Sequence, residues 1–251
     1  RMFPITDDSG TIVSCLQRAA QQAGVQVMTS SRVEHIAPAS SGAWQLQING
    51  DERPRIFQKL MIASGSNPAI WQLLRGLGHS IVEPVPSLFT FNTKDTRLRD
   101  LSGVSVPDAA LRIPGTSLSA RGPLLVTHWG LSGPAILRIS AWGARQLYDL
   151  NYRFPLEINF TGDKKIPEIQ EERLRLKTAE GKKTVAAHPY QDIPLRFWQQ
   201  LIAAAGIRPE LRWADLDKKT VQALSEQTGA ATFQIAGKST FKEEFVTAGG
   251  V

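Results

Sequence analysis

The segment 127–136, which reads THWGLSGPAI, combines residue types that could hold an anionic or electron-rich ligand group. The apolar run 124–126 predicts an extended approach. Pro134 predicts the first position of a helix, because proline lacks the N–H that would be unpaired there. Ser132 or Gly133 would then cap that helix. The free amides and the positive end of the helix dipole would face a glycine-lined turn, which favours an anion. An ordinary strand-to-helix turn explains the same residues equally well.

His128 is the one histidine that lies inside this segment. Its ring could donate a hydrogen bond to a substrate carboxylate, and a hydrogen-bonded structural histidine is the alternative. The other three, His35, His79 and His188, are scattered, and Cys15 is the single cysteine, so no metal-ligand spacing is present. The patterns G-x-S-x-G and G-x-x-x-x-G-K-[ST] are also absent. We therefore expect neither a metal centre nor a serine-nucleophile hydrolase.

The net charge of +6 raises the question of a nucleic-acid partner. Basic and acidic side chains number seven and five in residues 1–82, eight and six in 83–161, and fourteen and twelve in 162–251, so each part has a net charge of +2. A binding face for nucleic acid concentrates its charge. This even distribution indicates solvated surface, and we do not expect a nucleic-acid partner. The single cysteine fits a reducing cytoplasm, and no run approaches the ~20 apolar residues of a membrane helix.

Residues 1–82 show the alternating helix and strand patterns of α/β structure. A helix from about residue 9 to Gly24 would place Cys15 on its apolar face and in the core. Strict alternation before Asn49-Gly50 predicts a hairpin, and the apolar run 59–63 predicts a short buried strand. Asn67-Pro68 predicts the start of the next helix. This part should therefore mix helices with short strands.

From residue 83 to about 161, frequent proline and glycine separate short strand-like runs, with one helix after Pro134 as the exception. From 162 to about 229 the pattern becomes charged and helical, and it returns to strand character over 231–236 and 244–247. Periodicity and punctuation together predict an α+β protein with a β-rich part and a small helical part.

Three separate stretches carry a family resemblance: RMFP at 1–4, THWGLSGPAI at 127–136 and FVTAGGV at 245–251. Together, and with intermediate stretches that fit in the same order, they resemble the HI0933-like family of NAD(P)/FAD-dependent oxidoreductases. The resemblance covers nearly the whole chain. It implies a flavoprotein in which the flavin performs the hydride chemistry, while the protein binds and orients the reactants.

The resemblance also implies an organisation: an α/β FAD-binding domain that is interrupted by a substrate-side insert. Residues 1–82 would be a partial FAD-binding segment, 83–161 the β-rich part of the insert, 162–237 its small helical subdomain and 238–251 a return strand. No G-x-G-x-x-G turn for the FAD pyrophosphate occurs in the sequence. We therefore expect the central fragment of a longer flavoprotein, flanked by incomplete pieces of the FAD-binding domain, which binds FAD weakly by itself.

The same resemblance assigns site residues. Around FAD it places Arg1, Val33, Ser64, Gly65, Gly249 and Gly250. On the substrate side it places Thr127, His128, Gly130, Ser132 and Gly133, and there His128 would face an anionic flavin or the substrate. It implies a small-molecule substrate and permits NAD(P) as a second cofactor. The alternative hypothesis is a protein- or nucleic-acid-binding module without redox activity of its own.

Overall fold

The structure, a computed structural model, describes residues 4–239 and 246–251. The chain divides into two compact units, the first of which ends at Ser80 while the second begins at Ile81. The helices are α1 (Gly10–Gln22), α2 (Pro68–Gly76), α3 (Pro134–Trp142), α4 (Ala144–Asp149), α5 (Ile166–Ala179), α6 (Leu195–Ala204) and α7 (Lys218–Gly229). The strands are β1 (Val33–Pro38), β2 (Trp44–Ile48), β3 (Arg55–Phe57), β4 (Val82–Pro86), β5 (Thr90–Asn92), β6 (Ser105–Arg112), β7 (Ser119–Val126), β8 (Gly130–Ser132), β9 (Phe154–Asn159), β10 (Ala231–Ile235), β11 (Gly237–Ser239) and β12 (Thr247–Gly250).

The first unit contains α1, a three-stranded antiparallel sheet in the order β1-β2-β3, and α2. The predicted hairpin is present, but its loop runs from Asn49 to the residue before Arg55 and is longer than a two-residue turn. The predicted start of α2 is confirmed, because Asn67 Oδ1 accepts a hydrogen bond from the Ala69 amide at 3.0 Å. Local signals for caps and turns therefore placed these elements correctly.

Two expectations for this unit were wrong. Cys15 is exposed instead of buried, and no residue of α1 is buried. The run 59–63 forms no strand, and the side chain of Met61 is 89% exposed. An apolar pattern predicts which face of an element avoids water, whereas burial also requires a neighbouring element to cover that face.

The second unit is organised around a seven-stranded sheet in the order β10-β9-β6-β7-β8-β5-β11, in which all pairs are antiparallel. Its two outer strands, β10 and β11, are consecutive in the chain and separated only by Ala236. One bent strand thus pairs with β9 through its first half and with β5 through its second half. The Ala236 amide continues this seam by donating to Asn92 O at 2.9 Å. The sheet must curl until its edges meet, which makes it a barrel.

The barrel and the helices that follow β9 share one apolar core. Strands β5 to β10 all contribute buried side chains to this core, and α3 packs on β7. Phe160, just after β9, meets Phe197 of α6 edge to face with ring centroids 4.8 Å apart. The helical part (α5, α6 and α7) is inserted between β9 and β10, as the charged helical pattern predicted. These elements confirm the α+β class. Among the described residues, no helix has both the length and the apolarity to cross a membrane.

Candidate functional site

Strand pairing brings two loops together at one end of the barrel. In the antiparallel pair of β5 and β8, Asn92 at the end of β5 lies opposite Gly130 at the start of β8. The loop after Asn92 and the turn before Gly130 must therefore emerge on the same side. The Thr93 amide continues the ladder by donating to Trp129 O at 3.1 Å. The predicted ligand segment thus faces residues 93–104, which the sequence analysis did not select.

Gly130 is required by this close approach. Its φ is +148°, and a Cβ atom there would lie 2.2 Å from Phe91 O and 2.8 Å from the Thr93 amide nitrogen. Such distances are far inside van der Waals contact, so any larger residue would separate β5 from β8. The pairing of β5 with β8, which forms the site, therefore requires glycine at position 130.

The other half of the predicted turn packs into the protein. Gly133, with φ +95°, is the N-cap of α3, and Pro134 occupies the first helical position as predicted. A Cβ on Gly133 would lie 2.9 Å from both Leu125 N and Pro123 O, so the helix start is set tightly against β7. Ser132 Oγ accepts a hydrogen bond from the hydroxyl of Thr90 at 3.2 Å. Ser132 and Gly133 therefore support the turn from behind and do not line the cleft described next.

The turn and the facing loop enclose a polar cleft of about 540 Å³. From the predicted set it contains Thr127, His128 and Gly130. The remaining lining residues are mostly polar or charged: Thr93, Lys94, Asp95, Thr96, Leu98, Arg99, Asp100, Ser102 and Arg196. We call this site the barrel-end cleft. Sequence reasoning missed the loop half, although the alternating charges of TKDTRLRD at 93–100 could have indicated an exposed polar segment.

Three cations give the barrel-end cleft its charge. Lys94 and Arg99 are exposed, and among the described residues their side chains have no hydrogen-bond or ion-pair partner. Arg196, also exposed, donates one hydrogen bond to the Asp100 carbonyl oxygen and forms no ion pair within the described chain. Two carboxylates also line the cleft. Arg97 neutralises that of Asp95, so Asp100 is the only negative charge left among the lining residues. The cleft consequently favours anionic ligands.

Arg97 fixes the cationic loop to the barrel. Its guanidinium donates to the Asp95 carboxylate from Nε at 2.9 Å and from Nη2 at 2.7 Å. It also donates to Gln227 Oε1 at 2.8 Å and to Thr232 O. The guanidinium carbon lies 3.9 Å from the centroid of the Phe233 ring. Burial acts to raise the pKa of Asp95, but the hydrogen bonds from the side chain and backbone of Arg97 outweigh it and hold that pKa below its ordinary value. The loop is therefore held by a strand of the barrel seam.

The turn itself presents a histidine and a tryptophan to solvent. Thr127 Oγ1 accepts from the amides of Trp129 at 3.3 Å and Gly130 at 3.2 Å, which fixes the turn. His128 is exposed, and its ring has no partner among the described residues. Trp129 is 57% exposed. An unpaired imidazole and an open indole face thus lie beside the cationic cleft.

Gly249 and Gly250 lie in β12, which pairs with β4 in the second unit. Both have positive φ, +114° and +108°, and Gly249 lies at a register shift where it alone opposes two residues of β4, Glu83 and Pro84. A Cβ on Gly249 would lie 2.8 Å from Arg145 Nη2 and 2.9 Å from Glu83 O, and the same Nη2 donates to Glu83 O. The glycine thus lets a guanidinium lie directly against the strand.

The remaining predicted cofactor residues are in the first unit or outside the described chain. Val33 is the first residue of β1 and pairs with Ile48. Ser64 and Gly65 lie in the exposed loop before α2, where Gly65 has φ +60°. Arg1 lies outside the described residues. Within residues 4–239 and 246–251, no group of three His, Cys, Asp or Glu side chains is arranged to hold a metal ion.

Arg173 is another cation that the sequence did not single out, and it is fully buried among the helices. Arg173 of α5 donates from Nε to Ser225 Oγ at 3.1 Å and from Nη2 to Thr228 Oγ1 at 2.6 Å. Its guanidinium carbon lies 4.9 Å from the centroid of the Tyr190 ring and 5.5 Å from that of Trp198. Nη1 has no hydrogen-bond partner in the described structure, and burial lowers the pKa of the group to about 9. This arginine organises helix packing away from the cleft.

Comparison with known proteins assigns most of the second unit. Residues 85–246 match the HI0933-like protein barrel and H2TH domain. The chain is 30% identical over 142 residues to a ribosomal RNA dihydrouridine synthase of Haemophilus influenzae, covering 51% of this chain and 34% of the relative. It is 26% identical over 257 residues to a ribosomal RNA dihydrouridine synthase of Escherichia coli, covering 98% and 60%.

A third relative carries a different name. The chain is 22% identical over 182 residues to a 3-dehydro-bile acid delta(4,6)-reductase of Clostridium scindens, covering 69% of this chain and 43% of the relative. The chain therefore spans less than two thirds of the length of each of these three proteins.

Proposed function

The chain belongs to the HI0933-like family, and on that premise we propose that it forms the substrate-side part of an FAD-dependent oxidoreductase that acts on RNA. The names of the three relatives describe saturation of carbon–carbon double bonds, in uridine of ribosomal RNA or in a steroid. A hydride-transferring flavin suits both reactions. The observation that carries the choice of RNA is the charge and polarity of the barrel-end cleft.

The cleft chemistry separates the two substrate classes. A steroid pocket would be lined mainly by apolar and aromatic side chains. The barrel-end cleft has Leu98 as its one aliphatic wall and carries the unpaired cations Lys94, Arg99 and Arg196. A phosphodiester chain supplies the anions that such a cleft lacks. This proposal replaces the small-molecule expectation of the sequence analysis, because even distribution of charge along the chain does not exclude its concentration in space.

The described residues fit one end of the proposed cofactor. Two consecutive positive-φ glycines and the adjacent Arg145 guanidinium offer backbone and positive charge to an electron-rich ring edge, so Gly249, Gly250 and Arg145 would hold the isoalloxazine. For the pyrophosphate end the sequence offers no G-x-G-x-x-G turn. We therefore propose that Val33, Ser64 and Gly65 make only auxiliary contacts, that the chain alone binds FAD weakly, and that NAD(P) is the reductant.

In this proposal the domain limits follow the sequence-based division. Residues 1–82 and 238–251 belong with the FAD-binding domain, 83–161 form the barrel part of the insert, and 162–237 form its helical subdomain. The strand pairing differs from this division at residues 231–239, because β10 and β11, although they follow the helices, pair into the barrel sheet. We also propose a cytoplasmic location, in line with a single cysteine.

The residues of the turn would have distinct tasks during reduction. When bound, a flavin would supply the hydride. Saturation of a double bond also requires one proton, and the exposed, unpaired imidazole of His128 is suited to deliver it. Thr127 holds the turn through its two amide contacts and positions His128. The protein thus binds the strand, orients the base and supplies the proton.

The test is anaerobic reduction of a ribosomal RNA transcript by the flavin-loaded protein, expressed from its complete gene, with a reduced nicotinamide. We expect nucleosides that have gained two hydrogen atoms, detected by mass spectrometry, and no comparable reduction of a 3-dehydro-bile acid. His128→Gln should lower the rate of reduction, whereas Lys182→Ala, at an exposed position on the helical part, should leave it unchanged. Reduction of the bile acid with no reduction of RNA would contradict the proposal.

A further inference from the structure

The barrel-end cleft continues into a second groove. The neighbouring groove, of about 420 Å³, is lined by Thr96, Arg97, Arg99, Asp100, Gln200, Ala203 and Ala204. It shares Thr96, Arg99 and Asp100 with the barrel-end cleft, so the two form one continuous track along residues 93–100. Arg99 lies at their junction. A cleft that continues into a second groove suits a chain-like ligand.

The distribution of charge along this track is specific. Lys94 and Arg196 contribute to the first cleft and Arg99 to both, and none of the three has a carboxylate partner among the described residues. In contrast, Arg97 is fully engaged by Asp95 and by the barrel seam, with its side chain only 12% exposed. Unpaired cations that line a groove can bind the phosphates of a nucleic-acid backbone, whereas a cation such as Arg97 is already neutralised by its partner.

An exposed aromatic side chain lies in the turn that carries His128. Trp129 follows His128 directly and is 57% exposed. Its backbone is held at both ends, because its carbonyl oxygen accepts from the Thr93 amide and its own amide donates to Thr127 Oγ1. An exposed indole in a turn that lines a cationic groove can stack on an unpaired base. In duplex RNA the bases are stacked on one another, so this surface is available only to a single strand.

From these contacts we propose that Lys94, Arg99 and Arg196 bind consecutive phosphates of a single-stranded RNA segment, and that Trp129 stacks on the base presented to His128. The inference rests on the proposed function for the identity of the ligand. It goes further in assigning the backbone contacts to three residues, the stacking contact to a fourth, and the strandedness of the RNA. Asp100, the free carboxylate of the track, would reject a fourth close phosphate.

The experiment measures binding of a short fluorescein-labelled oligouridine to the protein by fluorescence anisotropy at several salt concentrations, without reductant. For single strands, log K falls with log[salt] by about 0.7 for each phosphate contacted, so K94A, R99A and R196A should each reduce the slope by about 0.7 and the triple variant by about 2. Trp129→Ala should weaken binding about five- to 150-fold with an unchanged slope. The matched control K182A removes an exposed cation outside the track and should alter neither quantity.

Three results would overturn the inference. One is a triple variant with the wild-type slope, another is equal affinity for duplex and single-stranded RNA, and the third is a K182A effect as large as that of K94A. Because all four track residues are exposed, circular dichroism should show each variant folded. Binding and reduction are separate readouts. If the track variants bind oligouridine like the wild type and the wild type reduces RNA, only the inference is refuted. If the track variants lose binding as expected and the wild type does not reduce RNA, only the proposed redox function is refuted.

Discussion

Gly130→Ala tests the strand pairing on which the cleft depends. The added Cβ would lie 2.2 Å from Phe91 O, against backbone that cannot move without opening β5 from β8. Overpacking of this kind costs about 1–3 kcal/mol, and a side chain at φ +148° adds a strain of about 1–3 kcal/mol. The free energy of unfolding of the second unit should therefore fall by roughly 2–6 kcal/mol.

Gly115→Ala is the matched control. Gly115 also has positive φ, +80°, in the turn between β6 and β7, but nothing lies within 4 Å of its added Cβ. It therefore reports the backbone strain without the collision. Thermal unfolding followed by the emission of buried tryptophans, among them Trp198 and Trp213, should show Gly130→Ala melting ~3–10 °C below Gly115→Ala. Equal melting temperatures for the two variants would refute the close approach of Gly130 to Phe91.

Three further predictions follow from the buried and part-buried charges. Arg97→Met leaves Asp95 without its partner, and urea unfolding should show a loss of ~2–4 kcal/mol, with an unchanged value counting against the anchoring role. Because the pKa of Asp95 is lowered in the folded state, its contribution is present above the ordinary value of 3.8 and lost as pH falls below it, so the stability difference between wild type and Asp95→Asn should shrink in acid and not in alkali. Arg173→Met should be neutral or stabilising by up to ~3 kcal/mol, because it removes an unpaired buried Nη1 while the hydroxyls of Ser225 and Thr228 keep their bonds to helix carbonyls; a large loss would show that the guanidinium is needed.

Local chemistry made part of the fold predictable. Asn67 and Pro134 marked helix starts correctly, because caps and proline act on the nearest backbone amides alone. Glu171 and Arg175, four residues apart in α5, form an ion pair at 2.6 Å, which residues with this spacing can form on any helix. Signals of this kind need no knowledge of distant residues.

Burial and strand order could not be predicted in the same way. Cys15 lies on an apolar helix face that remains exposed, because coverage is decided by another element. The barrel seam pairs β11 with β5, and Lys238 thereby lies opposite Phe91. Contacts over such sequence distances leave no periodic trace in either segment. For the same reason the sequence selected His128 but not Lys94, Arg99 or Arg196, which only the folded chain brings to it.

Barrel closure and the cationic track are mechanically linked through Arg97. Its guanidinium holds Asp95 of the track loop on one side, and on the other it contacts Thr232 O and the Phe233 ring of β10, the strand that bends at Ala236 to close the barrel. Loosening this contact should therefore displace Lys94 and Arg99 together. Arg97→Met should weaken oligouridine binding and lower its salt slope although Arg97 itself is paired and touches no phosphate in the proposed complex. A variant that loses stability yet keeps the full salt slope would show that the loop keeps its shape without the seam.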